Sequence, residues 1–70
     1  MTPTAVIEWI DVDGEYVCVA RAELDGKSYT TRVFVQRGRD ITLPWHAKLR
    51  ADVESFARRN AEGWWQKRFA

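Results

Sequence analysis

The chain has 70 residues and a net charge of +1, which makes it one domain, residues 1–70, near the lower size limit for a core without disulfides or metals. Its single cysteine excludes an internal disulfide and a multi-cysteine metal site. No segment is long and apolar enough to span a membrane, and the first residues lack a signal-peptide pattern, so we expect a reduced, cytoplasmic protein.

The charges are distributed unevenly along the sequence. Residues 1–25 carry a net charge of −5, whereas residues 26–70 carry +6. One interpretation is that the two halves neutralise each other across the fold. The other is that the acidic first hairpin, with Asp11, Asp13 and Glu15, meets a basic partner or imitates nucleic acid.

The first predicted elements are strands, because two Asp-Gly pairs lie between runs of strand-forming residues. Asp13-Gly14 and Asp25-Gly26 each match the two-residue turn of a β-hairpin, in which both positions take a positive φ. The turns predict a three-stranded antiparallel meander with strands at about 4–12, 15–24 and 27–36.

The turns also fix which side of the sheet each residue occupies, since side chains alternate along a strand. One side is apolar with small residues at its centre, and we expect a helix to cover it. This predicted core side consists of Ala5, Ile7, Trp9, Tyr16, Cys18, Ala20, Ala22, Leu24, Tyr29, Thr31, Val33 and Val35.

The opposite side, which we call the open face, has no second helix to cover it. The predicted registers align Ile10, Val17 and Phe34 in one row, which we call the apolar strip. We expect this row to face water or a partner, because an apolar row edged by both charge signs is typical of a recognition surface. The charged neighbours on the same face are Glu8, Arg21 and Arg32.

After the third strand the pattern becomes helical over about 43–62, and the helix can continue to 68. Thr42 is a suitable N-cap and Pro44 is tolerated in the first turn. Steps of three and four residues predict a buried stripe of Trp45, Leu49, Val53, Phe56, Asn60 and Trp64. A second series with alternating charge predicts a solvated side: Arg50, Glu54, Arg58 and Glu62.

Gly63 interrupts the helical pattern immediately before two tryptophans. If the helix continues, Trp65 and Phe69 lie one turn apart on the side opposite the predicted stripe, where something should cover them. If the helix ends at Gly63, the last residues can fold back and bury these rings. A second partner contact through Trp65 and Phe69 also stays open.

Catalytic chemistry is not indicated by any motif. The one histidine, His46, has no nearby cysteine or carboxylate in sequence, and the acidic residues cluster at turns, where aspartate serves local geometry. Cys18 lies in an apolar stretch and is expected to be a small buried hydrophobe. We therefore expect no enzyme activity, no metal and no cofactor.

The favoured hypothesis is a non-enzymatic module that binds and occludes a larger protein or nucleoprotein complex. It rests on the apolar strip, the acidic hairpin and the lack of a catalytic motif. Small proteins of this kind in bacterial or phage genomes are often inhibitors or antitoxins. Some of the phage proteins, such as anti-CRISPR proteins, block host defence machinery.

An alternative function comes from topology. Three antiparallel strands followed by one helix is similar to the order in AP2-type and phage-integrase arm-binding domains, over residues 15–60, with Leu24-Asp25-Gly26-Lys27 as the most suggestive local segment. The resemblance implies a DNA-binding domain whose exposed sheet face enters the major groove. Arg21 and Arg32 would be the base readers by position.

A third hypothesis is a homodimer in which the apolar strip and the aromatic tail, Trp65 and Phe69, bury each other. Such a dimer would add apolar burial to a small core.

Overall fold

A computed structural model describes residues 2–35 and 46–70 as three strands followed by one helix. The antiparallel sheet has the order β1-β2-β3, and this confirms the predicted α+β, β-β-β-α layout. The predicted last residue of the third strand, Gln36, and the expectations for Thr42, Pro44 and Trp45 lie outside the described residues. The elements are β1 (Val6–Val12), β2 (Glu15–Leu24), β3 (Lys27–Val35) and α1 (Ala47–Phe69).

Both hairpin turns have the backbone that their Asp-Gly pairs predict. Asp13 and Gly14 have φ values of 54° and 80°, and Asp25 and Gly26 have 55° and 77°. The carboxylate of Asp11 accepts a hydrogen bond of 3.0 Å from the Gly14 N–H, which ties the first turn together. With the turns fixed, the registers are as predicted, including the Ile10–Val17 and Val17–Phe34 pairs.

The core lies between the helix and the predicted core side of the sheet. It is built largely from small side chains, with Ala20 and Ala22 on β2 facing Ala57 and Ala61 on α1. Because alanine is small on both surfaces, the helix backbone can approach the sheet closely. Larger residues surround this centre: Ile7, Trp9, Leu24, Tyr29, Val33, Val53, Trp65 and Phe69.

The helix is rotated about its axis relative to the sequence prediction. Its buried residues are Ala57, Ala61 and Trp65, whereas Phe56 and Trp64 of the predicted stripe are exposed. The predicted stripe was therefore wrong at these two positions, although Val53 does pack against the core. The physical reason is that alanines at the contact allow closer packing than the aromatic rings one position earlier.

The helix continues through Gly63 to Phe69, and the fold itself covers the aromatic tail. Trp65 is 5% exposed, its ring lies 5.5 Å from that of Phe69, and its Nε1–H donates to the Lys27 carbonyl at 2.9 Å. The expectation that a continuous helix would place these rings opposite the core was wrong, because the core contact runs along their side of the helix.

The alternating charge series is not a purely solvated side. Glu54 accepts a hydrogen bond of 2.6 Å from the Trp9 indole N–H, and Glu62 accepts one of 2.7 Å from the Ala5 backbone N–H. These two carboxylates connect the helix to the first strand and to the segment before it. No described helix is long and apolar enough to cross a membrane.

Candidate functional site: the open face of the sheet

The open face is formed by alternate residues of all three strands, arranged in rows that run across the sheet. The hydrogen-bonded registers place Ile10, Val17 and Phe34 in one row, and Glu8, Val19 and Arg32 in the next. Arg21 follows in the third row, between Val6 and Thr30. The predicted neighbours thus lie side by side as the two turns dictate.

Phe34 is the dominant apolar group of this face. It is 63% exposed, whereas Val35 in the same strand is buried and Tyr29 is half-buried. A phenyl ring exposed on one side of a small sheet keeps a large apolar area in water. Val12 and Val6 extend exposed apolar surface along the β1 side of the same face.

Val17 differs from its two neighbours in the apolar strip. It is only 1% exposed, whereas Ile10 is half-buried. The expectation that the whole strip faces water was therefore wrong for Val17, whereas Val19, next on the same face of the middle strand, is half-buried. Contacts to a partner would come from Phe34 and Ile10, because Val17 has almost no accessible surface.

Two opposite charges on this face neutralise each other. The Arg21 guanidinium lies 2.8 Å from the Glu23 carboxylate, and both side chains are exposed. Glu8 and Arg32 are both exposed and stand on opposite edge strands of one row, roughly 10 Å apart across the sheet. Arg21 and Arg32 are positive, whereas Glu8, Glu15 and Glu23 are negative. The described open face therefore has a net charge of −1, which does not favour binding to a phosphate backbone.

A shallow depression of about 570 Å³ occupies the part of the open face beyond the apolar strip. Its floor is Val19, and carboxylates stand on two sides of it. The lining consists of Thr4, Val6, Glu8, Val19, Arg21, Glu23 and Thr30. A partner that covers the apolar strip can therefore place polar groups in this depression.

The acidic hairpin projects from the end of the sheet next to the apolar strip. Asp11 and Asp13 are exposed, and Glu15 is half-buried on the open face, opposite Val12. Asp11 also holds the turn through its bond to Gly14, so a purely partner-directed role for it is not required. The arrangement places negative charge along one rim of the apolar strip.

Reactive groups are few in the described part of the chain. Cys18 is fully buried under the helix; burial raises the pKa of its thiol, the Glu54 carboxylate adds to the rise, and the Arg58 guanidinium opposes it. Among residues 2–35 and 46–70, no group of three or more histidine, cysteine or acidic residues is arranged to hold a metal ion.

The aromatic tail, predicted as a possible second contact, is not available in the described conformation. Trp65 is buried and Phe69 packs against the core, so a dimer that uses this tail would have to displace it. Next to these two residues, the exposed ring is that of Trp64, which belongs to the predicted buried stripe. The mid-helix glycine beside it was the signal that could have drawn attention to this position.

Comparison of the chain with protein-family models, with characterised proteins and with solved structures finds no match.

Proposed function

We propose that the protein is a small non-enzymatic binding module that attaches through its open face to a larger protein and occludes part of it. The exposed ring of Phe34 carries the proposal, because a 63% exposed phenylalanine on a sheet face is costly to leave in water. Large aromatic side chains at the centre of an interface are frequent hot spots of binding energy.

The chemistry of the partner follows from the rim of the apolar strip. Glu8 and Glu15 are negatively charged on this face, and Arg21 is already paired with Glu23. A partner with an apolar cleft bordered by basic groups would complement this surface. The same charges oppose the duplex-DNA alternative, because Arg21 and Arg32 share the face with three carboxylates.

The test is a capture experiment with a matched control. The tagged wild type, Phe34→Asp and Phe56→Asp proteins are compared for recovery of bacterial proteins, each with and without nuclease. Phe56 is 51% exposed on the helix, so it offers the same substitution on a different surface. We expect Phe34→Asp to weaken binding at least about 30-fold, as for a hot spot, and Phe56→Asp to leave it unchanged.

Several outcomes would contradict the proposal. If Phe34→Asp unfolded the chain, Phe34 would have a core role; if both variants lost binding equally, the effect would not belong to the open face. Recovery that depends on nucleic acid and on Arg32 would favour the DNA-binding alternative, and self-association alone would favour the dimer. The captured partner would define the biological class: a defence component would indicate a phage inhibitor of the anti-CRISPR type, and a toxin would indicate an antitoxin.

A further inference from the structure

A second concave surface lies on the helix, away from the open face. It has a volume of about 180 Å³ and is formed by one side of α1. Its lining residues are Arg59, Asn60, Gly63, Trp64 and Lys67. We call this surface the helix groove.

The wall of the helix groove is an exposed but well-held indole. Trp64 is 48% exposed, and its ring is stacked on Tyr29 of β3 with centroids 6.4 Å apart and planes 19° apart. The Lys67 ammonium lies over the same ring, 4.8 Å from its centroid. The indole is thus held by Tyr29 and by a cation over its ring, so a planar group that stacks on Trp64 takes the place of the Lys67 ammonium, which can then pair with an anionic group of the same ligand.

Gly63 leaves the floor of the groove open, and nothing in the described fold requires glycine there. A Cβ at this position would meet no atom within 4 Å, and the residue lies in the helix interior without a positive φ. Glycine weakens a helix interior relative to alanine, so its presence here has a cost without a visible structural gain. Its effect on shape is to keep the space beside Trp64 free.

The electrostatic surroundings of the groove are positive. Arg59 makes no ion pair or hydrogen bond in the described parts of the chain, and it lies two helical turns from Lys67 on the same side. The nearest acidic residue along the helix, Glu62, is engaged with the Ala5 N–H on another side. Arg68 adds a further positive charge in the last turn.

We infer that the helix groove binds single-stranded nucleic acid, with a base against the exposed part of Trp64 and phosphates on Arg59 and Lys67. An aromatic platform between cations is the arrangement by which proteins hold unpaired strands, since every base has a stackable face and every nucleotide a phosphate. A duplex does not offer its base faces to such a platform. This inference does not depend on the proposed function, since it concerns a different surface.

The main experiment measures binding of a dye-labelled oligothymidylate of about ten nucleotides by fluorescence anisotropy over a salt series. Two phosphate contacts to a single strand predict a slope of about −1.4 for log K against log salt, and Arg59→Gln should reduce it by about 0.7. Arg32→Gln is the matched control, because it removes the same charge from the open face. We expect Arg32→Gln to leave the slope unchanged.

Two further variants test the shape of the groove. Trp64→Leu keeps an apolar side chain but removes the ring, and we expect affinity to fall at least about fivefold. Gly63→Ala should raise the melting temperature and yet lower affinity, a combination that a purely structural role of Gly63 would not produce. Circular dichroism of each variant confirms that it is folded.

The inference is overturned if the oligonucleotide does not bind at low salt, or if Arg32→Gln weakens binding as much as Arg59→Gln. It is also overturned if a duplex of the same length binds equally well, or if Gly63→Ala binds as the wild type does. Phe34→Asp should bind the oligonucleotide normally. The capture experiment with Phe34→Asp therefore tests the proposed function alone.

Discussion

Substitution of the two adjacent tryptophans by alanine should affect stability very differently. Trp65 is 5% exposed and hydrogen-bonded to the Lys27 carbonyl, whereas Trp64 is 48% exposed. A buried indole removes about 150–250 Å² from water, or about 4–6 kcal/mol at 25 cal/mol per Å². Measured truncations of buried aromatic residues cost about 3–5 kcal/mol, and the lost hydrogen bond adds about 1 kcal/mol.

The total stability available is of similar size. At roughly 0.05–0.15 kcal/mol per residue, a chain of 70 residues has a free energy of unfolding of about 4–10 kcal/mol. We therefore expect Trp65→Ala to remove about 4 kcal/mol, roughly two fifths or more of the total. Trp64→Ala should cost about 2 kcal/mol, because only about half of its surface is buried.

The assay is urea denaturation followed by far-ultraviolet circular dichroism, with both variants and the wild type measured together. Equal losses, or a larger loss for Trp64→Ala, would refute the reasoning. Such a result would mean that the helix presents the stripe predicted from its aromatic spacing, one residue earlier than the structure places it.

Three further predictions follow from single contacts. Gly26→Ala should lower stability by about 1 kcal/mol, because φ is 77° and an added Cβ would meet no other atom. An unchanged melting temperature would contradict the positive φ of this turn. Glu54→Ala should cost about 1–2 kcal/mol in a urea titration by leaving the Trp9 indole unpaired, while the exposed Asp52→Ala stays within about 0.5 kcal/mol. Cys18 should resist thiol reagents until the chain unfolds. Because folding raises the pKa of its thiol, the unfolded chain loses that proton first, and stability should fall as pH rises above the ordinary thiol pKa. Rapid labelling of the folded protein in buffer would contradict the burial of Cys18.

The strands and their pairing were predictable because the chemistry that sets them is local. An Asp-Gly pair fixes a two-residue turn, the turn fixes the register, and alternation then assigns each side chain to a face. Exposure was less predictable. Alternation places Val17 on the open face, but it does not say how much of a middle-strand valine its neighbours leave accessible.

The rotation of the helix was not predictable from hydrophobic spacing alone. Two stripes one residue apart both read as apolar, one rich in aromatic rings and the other carrying Ala57, Ala61 and Trp65. Size rather than hydrophobicity decided between them, because the facing sheet surface is itself made of alanines. The bonds from Glu54 and Glu62 to the first strand and its leading segment depend on that rotation, so they were missed with it.

Hydrogen bonds between the N-terminal segment and the helix bring the two ends of the described chain together. Thr2 is hydrogen-bonded to Gln66, and Ala5 to Glu62, while the first strand runs from there toward the acidic turn, about 20 Å away. A tag, a fluorophore or a solid support attached at either end therefore leaves from the same end of the molecule. Phe34, which pairs near the other end of the sheet, stays uncovered, so the protein can be immobilised by either terminus without blocking the surface through which we propose it binds.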